Sequence, residues 1–413
     1  MSHLATVNRP LRVMFLLTSM PVGGAETLLV NLVRRFDRDR IQPLIGCLKH
    51  KDELGELISA EVPVFDALLR HKYDLAIVGR LKRLFREQAI DAIVTVGAGD
   101  KMFWGRIAAQ RAGVPVILSA LHSTGWPDGV GRLNRLLTGI TDGFIAVAKQ
   151  HAEFQVEQEN FPSEKVFLIP NGIDTNHFQF DPQRRAIWRS KLKIAADSPV
   201  VSIVAALRPE KNHALFLQAA RSVSEHLPQA RFVIAGDGPE RAGLESLASK
   251  LGLANKVHFL GSVGDIVGVL SMSDLFALTS HNEASPVSIM EAFSCQRPVV
   301  APAVGSIHET VLDGKNGYLV AAGDVAQTSL RWREILCQPS LARRFGEAGR
   351  KHIVENCSLE QMTLGYTNLI EHCFHRKTQS TREARPIPGR QIYGNNWLNP
   401  TLEKLNSHER STT

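Results

Sequence analysis

The chain has 413 residues, which at about 150 residues per domain makes room for two or three domains. Its 44% hydrophobic and 22% charged residues exclude a wholly disordered chain, and five cysteines are too few for a disulfide scaffold. The formal net charge is +7, but residues 1–180 hold 21 Lys and Arg against 19 Asp and Glu, residues 181–375 hold 20 against 19, and the last 38 hold 7 against 3. Most of the excess therefore belongs to the tail, and a nearly neutral body argues against a nucleic-acid partner. Cys47, Cys295, Cys337, Cys357 and Cys373 are scattered and form no C-x-x-C pair. That pattern fits buried apolar residues in a reducing compartment and no zinc site. The apolar run at 11–17 is short, contains Arg12 and leads into a glycine pair, and no run of 18 apolar residues exists. Neither a signal peptide nor a transmembrane helix is expected. The expected location is cytoplasmic, with a peripheral position on the inner face of a membrane left open.

Short apolar runs alternate with amphipathic stretches from the start. Residues 11–17 (LRVMFLL) read as a strand and 25–36 (AETLLVNLVRRF) as a helix with an apolar stripe. Strands are expected at 43–48, 62–65, 92–96, 114–120, 144–147 and 166–169, with helices at 74–88 and 101–112. The pattern then restarts. Strands are expected at 199–206, 231–236, 256–260, 274–279 and 298–301, and helices at 214–226, 239–251, 286–294, 325–337, 340–355 and 359–374. Alternation of this kind implies βαβ units, and so two doubly wound, Rossmann-like α/β domains with mostly parallel sheets, facing a cleft. The polar stretch 180–197, which carries Pro182, is where the domain junction is expected. The expected division is a first domain at 1–180, a second at 181–357, a helix at 358–375 returning to the first domain, and a basic, disordered tail at 376–413. No repeat of 20–50 residues is visible.

In doubly wound sheets ligands bind beyond the carboxyl ends of the strands, so the strand-to-helix loops are the places to look. The first, Pro21–Glu26, holds Gly23 and Gly24 before a helix, where backbone N–H groups can meet an anion. A tight turn explains the same pair. The second, Ala206–His213, places Arg208 and Lys211 three apart at a helix start. One planar fork and one point charge there suit a diphosphate, although two solvated cations read the same way. The third, Gly236-Asp237-Gly238-Pro239, lacks the third glycine of a dinucleotide fingerprint, because Arg241 stands there. The fourth runs from Glu283 to Glu291, with Ser285 as the expected N-cap and Pro286 as the expected first helical residue. Two carboxylates flanking a helix start suit a ligand with hydroxyls at both ends of a phosphate. Alone, they also read as a dipole partner and a solvated face.

Taken in order, these segments resemble the retaining GT-B glycosyltransferases known as group 1, or family four. Gly23-Gly24-Ala25-Glu26 is similar to that family's GGAE loop, and residues 170–174 (PNGID) to its segment near the domain junction. Arg208 and Lys211 match its R-x-x-K pair, residues 236–239 its GDGP turn, and Glu283 with Glu291 its E-x7-E signature. Residues 291–301 (EAFSCQRPVVA) are similar to EAMACGxPVVA, followed by a glycine-rich loop at 305–320. The resemblance covers about residues 10–375. It implies transfer of a sugar from a nucleotide-sugar, with retained anomeric configuration and neither cofactor nor metal. Arg208 and Lys211 would hold the diphosphate and stabilise the leaving charge. Glu291 would bond the ribose and Glu283 the sugar hydroxyls. Backbone N–H groups of Ala284, Ser285, Val287 and Ser288 would add to the phosphate site, and Gly24 would admit the acceptor side. His122, at the end of a strand-like run, matches the family's active-site histidine. The implied catalytic set is His122, Glu283, Arg208 and Lys211. Asn171 and Asp174 read as structural.

Two residues depart from the family pattern: Ala284 stands where a glycine is usual, and so does Gln296. The acceptor reads as a glycan, polysaccharide or lipid-linked molecule. Basic residues at Arg70, His71, Lys72, Arg80, Lys82, Arg83 and Arg86, and again at Arg132 and Arg135, suggest docking on an anionic membrane, although a solvated helix face has the same composition. A GT-B sugar-nucleotide epimerase, a non-catalytic two-lobed sugar-binding protein and a nicotinamide oxidoreductase are the alternatives. The paired motifs disfavour the first, the intact charged residues the second, and the missing glycine fingerprint the third.

Overall fold

The computed structural model describes residues 9–71, 74–97, 100–120 and 135–380. The chain divides into two compact units. One holds the chain up to Pro170 together with the part from Glu360 onward, and the other runs from Asn171 to Leu359.

The first unit carries a seven-stranded sheet in the order β3-β2-β1-β4-β5-β6-β7, parallel throughout. Its strands are β1 (Leu11–Leu17), β2 (Ile41–Cys47), β3 (Val64–Phe65), β4 (Ala92–Val96), β5 (Val116–Ala120), β6 (Gly143–Ala146) and β7 (Val166–Leu168). Because side chains alternate along a strand, β1 serves both faces of the sheet. Met14 and Leu16 pack with Ile77, Leu81, Phe85 and Ala108 from the helices Ile77–Glu87 and Asp100–Ala112. Phe15 points the other way, stacking on Phe36 at 5.8 Å and meeting Tyr366 at 6.4 Å. Tyr366 belongs to the final helix, Leu359–Ser380, which returns to the first unit as expected. That helix is tied there by Arg40–Glu371 at 2.6 Å and Lys377–Asp142 at 2.9 Å.

The second unit carries a six-stranded parallel sheet in the order β10-β9-β8-β11-β12-β13. The strands are β8 (Val200–Val204), β9 (Arg231–Ala235), β10 (Val257–Gly261), β11 (Leu275–Ala277), β12 (Val299–Pro302) and β13 (Gly317–Val320). One face packs Val201, Ile203, Leu275 and Ala277 against Phe216, Leu244 and a fully buried Trp332. The other packs Phe276 and Val299 against Leu270, Ile289, Phe293 and Ile353. In both units the strand order reverses once, between β1 and β4 and between β8 and β11, which marks the switch point of a doubly wound sheet.

Several expected boundaries change. The stretch 180–197 is not a junction. It forms the helix Pro182–Lys191, which is part of the second unit. Pro182, which reads as a breaker, stands at the first helical position, where it costs nothing. Asp181 caps the helix by accepting from Gln183 N at 2.8 Å and Arg184 N at 3.0 Å. Arg185 and Arg189 grip both oxygens of Asp274, at 2.7 and 2.8 Å. The expected glycine-rich loop at 305–320 contains β13. Arg376–Ser380 continue the last helix instead of starting the tail, and residues 381–413 lie outside the described residues. The helix Ile266–Met272 escapes sequence reading because it is buried all round and shows no polar face to set a 3.6-residue period.

Candidate functional site

The second unit's switch point brings together the loops that leave β8 and β11. After β8 the chain runs flat against the β9 loop, with Leu207 N donating to the Asp237 carbonyl at 3.0 Å and Glu240 N to the Leu207 carbonyl at 3.1 Å. Gly236, at φ +144°, permits this approach, since a Cβ there would collide with the Ala205 carbonyl. A single 3-10 turn, Pro209–Lys211, follows. Asn212 then takes a left-handed conformation (φ 48°, ψ 50°) and caps the helix His213–His226.

Arg208 begins this turn, exposed, and among the described residues its guanidinium has no hydrogen-bond or ion-pair partner. Lys211 differs. Its Nζ lies 2.6 Å from Oε1 of Glu283, whose side chain is only 9% exposed. The two loops are also laced through the backbone, with His281 N donating to the Glu210 carbonyl at 2.8 Å and Thr279 Oγ1 to the Lys211 carbonyl at 3.0 Å. The Glu283 carbonyl packs against Gly305, at φ +49°, where any Cβ would land on it, and accepts from Ser306 N at 3.3 Å.

The following helix is Val287–Ser294. Its N-cap is Pro286, with no side-chain cap, so the expected capping by Ser285 does not occur and Pro286 is outside the helix. Ser285 instead uses its carbonyl, which accepts from Asn171 Nδ2 at 3.3 Å. That bond gives Asn171, expected to hold a turn, a direct link to the site loop. Val287 and Ser288 occupy the first turn, where backbone N–H groups have no acceptor within the helix. Glu291 lies one turn further on. It is half-buried, has no hydrogen-bond or ion-pair partner among the described residues, and is pushed up to about 7 by burial alone. Ala284 is buried and has no positive φ, so the methyl in place of the usual glycine causes no backbone strain. Gln296, by contrast, is held at φ +57°, where a glycine would fit without strain.

Three contributors were not singled out by sequence reading. Ser280 and Thr279 are hydroxyls whose partners are distant in sequence. His213 is fully buried directly after the cationic loop, and its imidazole is pushed down to about 4, first by burial and then by the charge of Lys211. It is therefore neutral at physiological pH and adds no charge to the loop.

In the first unit, Gly24 opens the helix Gly24–Arg35 behind Gly23 as N-cap, and a Cβ on Gly24 would meet nothing within 4 Å. His122 lies outside the described residues, as do Lys72 and Arg132. Much of the expected basic face is already engaged. Arg80 pairs with Asp74 and donates to the Leu68 carbonyl, and Arg83 pairs with Glu87 at 3.7 Å. Arg135 donates to the Glu159 and Gln158 carbonyls at 2.9 and 2.6 Å. Among the described residues no three His, Cys, Asp or Glu side chains are arranged to hold a metal ion, and no helix is long and apolar enough to cross a membrane.

Two Rossmann-like units with all-parallel sheets and a helix returning from the second to the first define a GT-B-type protein. The structure of Anabaena HepE in complex with UDP and glucose has the same fold, with a TM-score of 0.78 at 23% identity over 88% of this chain and 100% of that one. In sequence the chain is 28% identical to the putative glycosyltransferase EpsF of Bacillus subtilis, over 81% of this chain and 88% of the relative. It is 29% identical to the GDP-mannose-dependent alpha-(1-6)-phosphatidylinositol monomannoside mannosyltransferase of Mycolicibacterium smegmatis, over 68% and 76%. The model of glycosyl transferases group 1 matches residues 184–352, and that of glycosyltransferase family 4 matches residues 22–177. The chain belongs to the group 1 glycosyltransferases, and its activity is glycosyl transfer.

Proposed function

We propose that the protein moves a sugar from a nucleoside-diphosphate sugar to a glycan or lipid-linked hydroxyl, with retention of anomeric configuration and without a metal. The observation that carries this reading is the switch-point loop, where Arg208 and a half-buried Glu291, neither with a partner among the described residues, and a Lys211–Glu283 pair flank a helix start. Arg208 and the first-turn N–H groups, with Lys211, meet the diphosphate and its growing charge as the glycosyl–oxygen bond breaks. That charge compensation takes the place of a metal ion. Glu291 accepts from the ribose hydroxyls, and Glu283 from the sugar. The acceptor hydroxyl attacks from the side the phosphate leaves, and its proton passes to the departing phosphate oxygen, which requires no side-chain nucleophile. Binding of UDP and glucose by HepE and use of GDP-mannose by the mycobacterial relative support this donor class.

The first unit reads the acceptor. Exposed Arg70, Arg83 and Leu75, the last 71% exposed, support peripheral docking on an anionic membrane. Vesicle binding that does not depend on anionic lipid would count against that docking. The donor site is tested by calorimetric titration of UDP-glucose and GDP-mannose into wild type and Arg208→Ala. One of them is expected to bind wild type and to lose at least tenfold in the variant. An inverted product by NMR, or loss of turnover in EDTA, would refute the stereochemical or the metal-free part.

A further inference from the structure

The Lys211–Glu283 pair is framed by two consecutive hydroxyls. Thr279 Oγ1 donates to the Lys211 carbonyl, and Ser280 Oγ donates to Glu283 Oε1 at 2.7 Å. Ser280 is 1% exposed and follows β11 by three residues. Ser280 and Lys211 therefore converge on the same carboxylate oxygen, with Lys211 Nζ at 2.6 Å from it. Oε2 of Glu283 has no hydrogen-bond or ion-pair partner among the described residues. A carboxylate held by one bond can turn about its last torsion and offer either oxygen. Two donors on Oε1, with the Glu283 carbonyl accepting from Ser306 N, leave it one orientation.

We propose that Ser280 is a positioning residue for the donor sugar: by fixing Oε1 it makes Oε2 the single acceptor that Glu283 presents to a sugar hydroxyl. Ser280 acts through Glu283 and touches no substrate. The inference rests on the donor-site reading above and deepens it by dividing the site. Arg208, Lys211 and the helix start recognise the nucleoside diphosphate, while Glu283, oriented by Ser280, recognises the sugar. A hydroxyl that only supported the loop would affect both parts alike.

The test is calorimetric titration of the full chain with UDP, UDP-glucose, GDP and GDP-mannose, using wild type, Ser280→Ala, Ser280→Cys, Glu283→Gln and Ser280→Ala/Glu283→Gln. Cysteine nearly preserves the volume and is a poor donor, so it stands in if alanine disturbs folding. For the pair that binds wild type, both serine variants should keep the nucleoside diphosphate affinity within about twofold. Both should lose roughly tenfold or more for the nucleotide-sugar, the size expected for a hydrogen bond to a charged group. The double variant should lose no more than Glu283→Gln alone, because one bond is being removed twice. Equal losses for both ligands, unchanged sugar affinity, or additive losses in the double variant would each overturn the role of Ser280. Wild type that binds none of the four ligands would instead overturn the donor-site reading, and this proposal with it.

Discussion

Glu291 and His213 oppose each other in the pH dependence of stability, and a single substitution should expose the balance. Burial raises the Glu291 carboxyl from 4.5 to about 7 and lowers the His213 imidazole from 6.5 to about 4. Above pH 7 the folded protein must bury the Glu291 charge, while below 4.5 the group is protonated in both states and costs nothing. Between these limits the folded state holds more protons, so this group's contribution to stability falls as pH rises. For His213 the unfolded state holds more protons between pH 4 and 6.5, so stability falls as pH drops through that window. Each shift corresponds to roughly 3 kcal/mol at most, and about 2 kcal/mol is a fair expectation for the half-buried glutamate. In wild type the two contributions nearly cancel between pH 4.5 and 7. Glu291→Gln should be more stable than wild type by about 2 kcal/mol at pH 8 and equal to it at pH 4.5, so that its stability now drops on acidification. Urea denaturation at the two pH values, followed by circular dichroism, measures this. A Glu291→Gln protein no more stable than wild type at pH 8, or stabilised equally at pH 4.5, would refute the reasoning.

The same carboxyl should make donor binding pH-dependent. Hydroxyl donors bind the ionised form, so nucleotide-sugar affinity should weaken below about pH 7, and Glu291→Gln should abolish that slope in titrations from pH 5.5 to 8. Arg208→Ala and Lys211→Ala should separate in thermal unfolding. The first removes an exposed cation with no partner among the described residues and should leave the melting temperature unchanged. The second strands a nearly buried Glu283 and should cost about 1–3 kcal/mol. Gln296→Gly should stabilise by up to about 1 kcal/mol, because relief of the left-handed strain outweighs glycine's entropy, and equal or lower stability in a denaturant midpoint would contradict this. Gly305→Ala should displace Glu283 and lose nucleotide-sugar binding, while the helix His213–His226 stays protected in hydrogen exchange.

The sequence alone was sufficient for the fold class, and it singled out the loops in which the donor site is proposed. Parallel strands buried on both faces must be short apolar runs, as 11–17, 92–96 and 200–204 are, and amphipathic helices must alternate with them. Punctuation by glycine, proline and charge then marked the loops after β1, β8 and β11. Elements were missed where burial removed the pattern, as in Ile266–Met272, or where a helix-start proline looked like a break, as at Pro182. Tertiary structure alone decided which charges are free. Arg208 and Lys211 read alike in sequence, yet among the described residues one has no partner and the other is matched with a glutamate 72 residues away. Ser280, Thr279 and His213 gave no local signal, because what defines them is a partner or a burial that chain folding supplies. Local chemistry is written along the chain, whereas hydrogen-bond partners and dielectric surroundings exist only after distant segments have been packed together.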